Sequence, residues 1–591
     1  MAPRIKILPE DLANKIAAGE VIERPASVIK ELVENSIDAR AKNLFIEVRG
    51  SGKHLIRVED NGEGMERDDA LLAFERHATS KIKSVEDLHA INSLGFRGEA
   101  LPSIASVSRI KLRTCGDKEG AGVYVELEGG RIKKVEEIGF PQGTTLEVRN
   151  LFFNTPARLK FLKTDSTELG HICQIITQQA LARPTISFKL NHEQRPLIQL
   201  PSTNDYLTRL VSLFGLDFSR CLIPIEISHP SLLEATGFIS PPSFQHSSRK
   251  YQYIYLNSRG VRSKIIQQSI SDAYHTYLPK EKYPAVFLFI SLEPALVDCN
   301  VHPTKIEVRL RREREIYALL LEGIRKTLWD QSKKGIGLPQ ISIPPDQAAT
   351  EERHQVAKAQ GERPAKRFGT LSPINENVGK KTSPRTFPEQ LFPSSSFAWQ
   401  DPWIPIGQIQ NSFILIENRN AVLVIDQHGA HERIIFEELR QNLGKSHKSQ
   451  ELLIRESISL TKAEMLLLEQ HLRDFEKLGF HLEPFGENIF IIRTIPAMLV
   501  GKDYKQVIRD MLDKLAETGK LKSLEESVEE MMMVIACHAA VKAHEPLQPR
   551  EMETLIRQLR ALGPSHTCPH GRPIIQSLPI EDIKKKFMRH N

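Results

Sequence analysis

Apolar residues recur with two different periods in the first two hundred residues of this chain. Ile29, Val33 and Ile37 fall at four-residue steps and predict a helix with one apolar face. Ile56, Val58 and Asp60 alternate instead, which predicts a strand whose last inward position is a carboxylate. This mixture predicts a layered α/β domain over 1–215. A second α/β unit is expected over 216–330. There Tyr253-Ile-Tyr-Leu256 and Val286-Phe-Leu-Phe-Ile290 are β-type runs, a helical stretch over 263–277 lies between them, and Asn257-Ser-Arg259-Gly260 makes a polar turn. From 331 to 400 the periodicity vanishes, and Pro, Ser, Gln and charged residues take over. Pro344-Pro345, Ser372-Pro373 and Ser383-Pro384 punctuate a stretch with the composition of a disordered linker. Order returns near Trp403, so 401–591 is expected to be one further domain. A helical insertion is expected within it over 445–530, where 465–475 and 504–515 carry helix-type spacing.

Composition adds limits. A chain of 591 residues is too long for one core. No run of eighteen apolar residues occurs, so no membrane span is expected. Met-Ala-Pro-Arg-Ile-Lys is not followed by an apolar signal core, which points to the cytoplasm. Six cysteines at irregular spacing form no disulfide framework and fit a reducing compartment. The net charge of +6 leans mildly towards polyanions, and the basic clusters at 149–163, 259–264 and 309–314 matter more than the total.

Candidate chemistry concentrates on the first predicted helix and the turns after it. Glu31, Asn35 and Asp38 stand at i, i+4 and i+7 and share a helix face. A carboxylate one turn from an amide can orient a water beside an Mg²⁺ held by the amide oxygen. Two glycine-bearing turns follow, Asp60-Asn-Gly62-Glu-Gly64 and Gly95-Phe-Arg97-Gly98. Glycine permits close backbone approach and leaves N–H groups free for phosphates. Asp60, on an inward strand face, needs a donor.

In this order the segments resemble the ATPase superfamily shared by type II topoisomerases, histidine kinases, the large heat-shock chaperone and the MutL mismatch-repair proteins. Flanking residues narrow the resemblance. Ile16-Ala-Ala-Gly19-Glu20-Val-Ile, Arg76-His77-Ala-Thr79-Ser80-Lys81, Gly95-Phe-Arg-Gly-Glu-Ala-Leu101, Asn154-Thr155-Pro156-Ala157-Arg158 and Asn300-Val-His302-Pro303-Thr-Lys305 together look like MutL. The resemblance runs through residues 1–330. It implies an α/β multidomain protein: an N-terminal α/β-sandwich ATPase, an α/β transducer domain, a disordered linker and a C-terminal α/β dimerisation domain.

The resemblance also implies roles. ATP would bind the first domain, with Glu31 as general base, Asn35 holding Mg²⁺ and Asp38 beside them. Asp60 would read the adenine amino group, assisted by Thr144. Gly62 and Gly64 would approach the nucleotide, and a lid running from Thr79 through Gly95 and Arg97 to Gly98 would wrap the phosphates. Lys305 would reach the γ-phosphate from the second domain. Lid ordering would close two N-terminal domains on each other, aided by the arm around Ile5, while the C-terminal domains hold a homodimer. The resulting ring would enclose double-stranded DNA, with Arg158, Arg259 and Lys264 facing phosphates. Its partner would be the mismatch-recognition protein MutS.

A second constellation lies near the C-terminus. Ala421-Val-Leu-Val-Ile425 reads as a buried strand ending at Asp426-Gln-His428-Gly-Ala-His431-Glu432. If a helix begins near His428, then His428 and Glu432 share a face and offer N and O ligands to Zn²⁺ or Mn²⁺. Cys568-Pro-His570-Gly-Arg572-Pro573 adds a Cys-x-His in a rigid turn. The metal-ligand candidates are Asp426, His428, Glu432, Cys568 and His570. Cys537 and His538 sit in an apolar helical pattern and rank below them. These segments are similar to the endonuclease site of MutL proteins that nick DNA themselves, with Gly429 where the family usually has alanine. The Gln450-Glu-Leu-Leu453-Ile-Arg-Glu456 segment stands where relatives carry a sliding-clamp motif, but it lacks the proline, which leaves clamp binding open. The alternative is an ATP-regulated matchmaker that recruits a separate nuclease. A topoisomerase subunit would need a DNA-gate tyrosine context, and a histidine kinase a phosphoacceptor helix; neither is found.

Overall fold

Pro25 opens the first described helix, Pro25–Asp38, from an extended Arg24, because its fixed φ and missing N–H suit the first helical position. Val28, Ile29, Leu32, Val33 and Ile37 are buried, and Glu31, Asn35 and Asp38 are left half-buried. Each buried aliphatic contributes about 1.5–3 kcal/mol relative to exposure, which outweighs the weak helix propensity of Val and Ile. The structure is a computed structural model. It describes residues 22–81, 94–95, 98–116, 120–230, 232–279, 282–298, 308–333, 402–443, 449–486, 488–518, 524–542, 544–563 and 567–587. Arg97, Lys305, the arm around Ile5 and nearly all of the expected linker (334–401) lie outside the described residues.

The helix packs on an eight-stranded sheet together with the helix Asp165–Ala182. The strands are β1 (Asn43–Arg49), β2 (Leu55–Asp60), β3 (Arg109–Cys115), β4 (Ala121–Glu128), β5 (Arg131–Gly139), β6 (Gly143–Arg149), β7 (Ser187–His192) and β8 (Arg195–Leu200). Their order is β5-β4-β3-β6-β2-β1-β7-β8, antiparallel except between β1 and β7. Ile56 and Val58 of β2 face the core, as the alternation requires, and carry Asp60 to the end of a central strand.

The second α/β domain has five strands in the order Arg259–Gly260, Gln252–Leu256, Val286–Leu292, Leu233–Ile239 and Ile223–His229. The helices Lys264–Tyr274 and Glu313–Lys333 pack together over it, with Ile266, Ile270, Ile316, Leu320 and Ile324 in the core. The expected polar turn is a tight hairpin with Asn257 and Ser258 at φ +50° and +65°, which suits the twist of the flanking strands. Tyr251, Tyr255 and Phe287 belong to the core of the first domain, so the two sheets share packing.

The chain divides into two compact units. One holds Met1–Leu338, Gln427–Glu545 and Ser565–Ile574; the other holds Pro339–Asp426, Pro546–Pro564 and Ile575–Asn591. The expected helical insertion is a finding of a different kind. It is α/β, with a three-stranded antiparallel sheet (Ser449–Ser459, Ile489–Pro496, His481–Pro484) beside the helices Lys462–Lys477, Tyr504–Thr518 and Leu524–Ala539. The strand Ser449–Ser459 bulges and exposes Leu453 and Ile454, which hides its period in the sequence. The helix Lys462–Lys477 packs on Asp165–Ala182, with Ala463 and Leu466 against the first core.

In the other unit, Ile404–Ile409, Phe413–Asn418, Ala421–Asp426 and Ile575–Pro579 make a four-stranded antiparallel sheet. Ala421, Leu423 and Ile425 are buried while Val422 and Val424 are half-buried. The run expected to be buried throughout is therefore one-faced, as an antiparallel sheet allows. Among the described residues no helix is long and apolar enough to cross a membrane.

Candidate nucleotide site and metal centre

Asp60 ends β2 opposite Thr144 of β6. Its carboxylate accepts hydrogen bonds from Ser36 Oγ (2.7 Å) and the Gly62 N–H (2.9 Å). Burial pushes its pKa up, against the Ser36 hydroxyl and the Gly62 and Thr144 N–H groups, which favour the charged form. Thr114 Oγ1 lies 3.1 Å from the Gly143 carbonyl oxygen and 3.0 Å from Thr144 Oγ1. A hydroxyl has one hydrogen, so with Thr114 donating to Gly143, Thr144 donates to Thr114.

Two turns admit only glycine. Gly64 has φ +69°, and a Cβ there would lie 1.9 Å from the Cys115 carbonyl oxygen. Gly98 has φ +63°, and a Cβ would lie 2.5 Å from the Ala78 oxygen. Both turns leave backbone open to close approach.

Asn35 and Asp38 converge on a cation supplied by the chain itself. Lys81 Nζ lies 2.9 Å from Asn35 Oδ1 and 2.6 Å from Asp38 Oδ2. The ammonium stands in for a metal cation between two hard oxygens, so the donor set fits Mg²⁺. Asp38 also accepts from the Leu94 and Gly95 N–H groups (2.9 and 3.0 Å), and Thr79 Oγ1 accepts from the Lys81 N–H (3.2 Å). No periodicity in the sequence links Lys81 to the helix it reaches. Glu31 is half-buried one turn before Asn35. Glu34, the other carboxylate of this helix, is buried and accepts from Gln179 Nε2 at 3.1 Å, a packing role.

The three candidate DNA contacts differ. Lys264 is exposed at the start of its helix, which Ser263 caps. Arg158 is half-buried on the short helix Pro156–Phe161. Arg259 turns inward, and its Nη2 donates to the Leu94 carbonyl at 3.2 Å, joining the second domain to the loop held by Asp38.

The C-terminal cluster forms around the helix Gln427–Asn442, which runs straight through Gly429. Gln427 is fully buried and donates to the carbonyls of Lys542 (3.3 Å) and Glu545 (3.0 Å), anchoring the first turn against the glycine's weak propensity. His428 and Glu432 share a face, with His428 Nε2 3.2 Å from Glu432 Oε1. His428 Nδ1 lies 2.8 Å from the Val541 carbonyl oxygen. A carbonyl only accepts, so Nδ1 carries the hydrogen and Nε2 faces the carboxylate. Cys537, from the helix Leu524–Ala539, completes a group of three donor atoms within 4.8 Å of one another. His570 Nε2 lies 3.9 Å from Glu432 Oε1.

The cluster is strongly polarised. The Cys537 sulfur and then Glu432 push the His428 pKa up to about 11, against burial. His428 and His570 together lower that of Cys537. Burial would raise Glu432, but the His428 imidazolium outweighs it and holds the carboxyl down. Nitrogen, oxygen and sulfur donors gathered this closely fit Zn²⁺.

Cys537, which the sequence ranked low, is central; its only signal was the Ala536-Cys537-His538 string. Cys568 is buried in the turn that carries His570, its N–H donating to the Arg572 carbonyl (2.8 Å), and its sulfur is not one of the three grouped donors. Asp426 ends the strand before the helix. Glu437 pairs with Arg433 at 2.7 Å. His431 is held neutral by burial, its pKa lowered to about 4, and its Nδ1 accepts from the Val541 N–H.

Three family profiles match the chain. They are a histidine kinase-, DNA gyrase B- and HSP90-like ATPase over 22–147, the C-terminal domain of a DNA mismatch repair protein over 210–329, and a MutL C terminal dimerisation domain over 406–547. The chain is 40% identical to the DNA mismatch repair protein MutL of Geotalea uraniireducens (strain Rf4) over 607 residues, covering 100% of both. It is 38% identical to that of Geobacter sulfurreducens, again over 100% of both chains. A solved Aquifex aeolicus MutL ATPase domain complexed with ADP is 29% identical over 51% of this chain and 98% of that chain, with a TM-score of 0.36.

Proposed function

The chain belongs to the MutL family of DNA mismatch repair proteins, and from that premise we propose how its two sites divide the work. The protein acts in mismatch repair as a dimeric, ATP-dependent switch. Asp60 with Thr144 reads adenine, because a buried acceptor on a central strand suits the amino group. Glu31 is the general base, Asn35 and Asp38 offer oxygens to Mg²⁺, and Gly62, Gly64, Gly95 and Gly98 bring backbone to the phosphates. Bound Mg²⁺ would neutralise charge on the phosphates. Lys81, Arg97 and Lys305 supply cations around the same nucleotide. Lys264 and Arg158 contact DNA phosphates without reading sequence, so binding weakens steeply with salt.

The C-terminal centre is a metal-dependent nicking endonuclease. His428, Glu432, Cys537 and His570 would hold Zn²⁺ or Mn²⁺, and Asp426 and Cys568 remain further ligand candidates. The metal would supply Lewis acidity to a phosphodiester and lower the pKa of water. The observation that carries this reading is the polarised group of His428, Glu432 and Cys537 within 4.8 Å. The switch works in the cytoplasm with MutS, and Leu453 and Ile454, exposed on a bulged strand, offer the sliding clamp an apolar pair.

The test is incubation with supercoiled plasmid and Mn²⁺, with and without ATP, beside His428→Ala and Asp426→Asn variants. Nicking that both substitutions abolish supports the endonuclease. Absence of nicking by protein that hydrolyses ATP and binds DNA supports the matchmaker instead.

A further inference from the structure

The second domain presents two lysines that neither site uses. Lys250 Nζ reaches Glu464 Oε1 at 2.6 Å and also contacts Asp513. Lys282 Nζ reaches Asp510 Oδ2 at 2.9 Å. The carboxylates come from the helices Lys462–Lys477 and Tyr504–Thr518, and all three are buried. Hydroxyls join them. Tyr251 donates to Glu464 at 2.7 Å, and Ser247 and Ser248 donate to Asp513 at 3.0 and 3.3 Å.

Charge dominates this contact. Burial would push the Glu464 carboxyl up, but the Lys250 ammonium beside it holds it down to about 2. Burial likewise works against Asp510, and His538 with Lys282 keeps it well below the usual range. Asp513 shares Lys250 with Glu464 and is raised by burial. Buried ion pairs add little net stability over apolar packing, but opening one strands its charges, so this contact can open only where another anion replaces the carboxylates.

Ammonium and hydroxyl groups on one face are what nucleic-acid phosphates recognise. The exposed Arg249, Arg262 and Lys264 continue this face. With Lys250 they line a cavity of about 900 Å³ that Glu464 and Asp513 also line. We propose that Lys250 and Lys282, with Ser247, Ser248 and Tyr251, form a phosphate-binding site for duplex DNA, and that Glu464, Asp510 and Asp513 cover it as an internal phosphate surrogate. The inference rests on the DNA-binding reading above. When DNA phosphates take the lysines, the two acidic helices are displaced. Asp510 also holds His538 Nε2 at 2.8 Å, next in sequence to Cys537, so their displacement reaches the metal centre.

The test uses the full chain and a fluorescent duplex titrated over a salt series. Neutralising the surrogate with Glu464→Gln, Asp510→Asn and Asp513→Asn together should tighten binding at low salt by about tenfold. Each phosphate contact adds about 0.9 to the slope of log affinity against log salt, so freeing two lysines should steepen it by about 1.8. Adding Lys250→Gln and Lys282→Gln should cancel both gains. Unchanged or weaker binding by the triple variant, or a gain that survives loss of the lysines, overturns the proposal. Hydrogen exchange of the unaltered protein is a second measurement, independent of variant folding. Saturating duplex should speed exchange in the helix Lys462–Lys477, and equal or slower exchange with DNA bound overturns the proposal. If neither wild type nor variants bind duplex, the DNA reading fails as well; failure of the triple variant alone leaves that reading standing.

Discussion

Asp60→Asn tests the nucleotide reading with little disturbance to the fold. The amide keeps the volume of the carboxylate, and its oxygen can still accept from the Gly62 N–H at 2.9 Å. Its nitrogen meets Ser36 Oγ, now 2.7 Å from the carboxylate, and that hydroxyl can rotate to accept instead. What changes is the ligand. A hydrogen bond to a charged group contributes about 1.5–3 kcal/mol and a neutral one about 0.5–1.5, so the loss is about 1–1.5 kcal/mol. ATP affinity should therefore fall about 5- to 13-fold. Guanine presents an acceptor where adenine presents its amino group, so a carboxylate repels it and an amide N–H can donate to it. GTP affinity should hold or rise, and the ATP-to-GTP ratio should narrow by about tenfold. Isothermal titration with both nucleotides, with the melting temperature as a control, decides. If both affinities fall together, or neither moves, Asp60 does not read the base.

Cys537→Ser should weaken Zn²⁺ binding by at least the roughly 10- to 100-fold that loss of an outer-shell partner costs; a chelator competition with unchanged affinity would remove Cys537 from the ligand set. His246 gives a pH prediction. It is fully buried among Phe218, Phe244 and Tyr251, and burial lowers its pKa to about 3. The unfolded chain binds this proton near pH 6.5, so the contribution is complete above 6.5. It is lost as pH falls towards 3, at about 1.4 kcal/mol per unit. His246→Phe should flatten that part of the slope in denaturant unfolding at pH 7.5 and 5.5, and parallel slopes refute the assignment. Gly64→Ala puts a Cβ against the Cys115 carbonyl at positive φ and should cost at least about 1–2 kcal/mol, with ATP binding lost; an unchanged melting temperature would show that the turn relaxes freely.

The ATPase helix and the strand leading to Asp60 were readable because apolar periodicity is a local signal. Pro25–Asp38 buries the face that Ile29, Val33 and Ile37 mark, and β2 buries Ile56 and Val58. Within 445–530 the spacing at 465–475 and 504–515 does mark two helices, but the sheet beside them is hidden, because the strand Ser449–Ser459 bulges and faces solvent with Leu453 and Ile454, leaving no alternation to detect. The buried-strand reading of 421–425 had the right element but one covered face too many, since a central apolar run does not reveal whether a second layer lies above it.

Spacing within one helix therefore determined that Glu31, Asn35 and Asp38 share a face, and likewise His428 and Glu432, because a helix repeats every 3.6 residues whatever surrounds it. Only the tertiary structure decided which distant groups complete those faces. It brought Lys81 to Asn35 and Asp38, Cys537 and the Val541 carbonyl to His428, and the Leu94 carbonyl to Arg259. It also laid Glu464, Asp510 and Asp513 over Lys250 and Lys282. Such partners are chosen by how whole helices and sheets pack to bury their apolar faces, and no local period in the sequence encodes that choice.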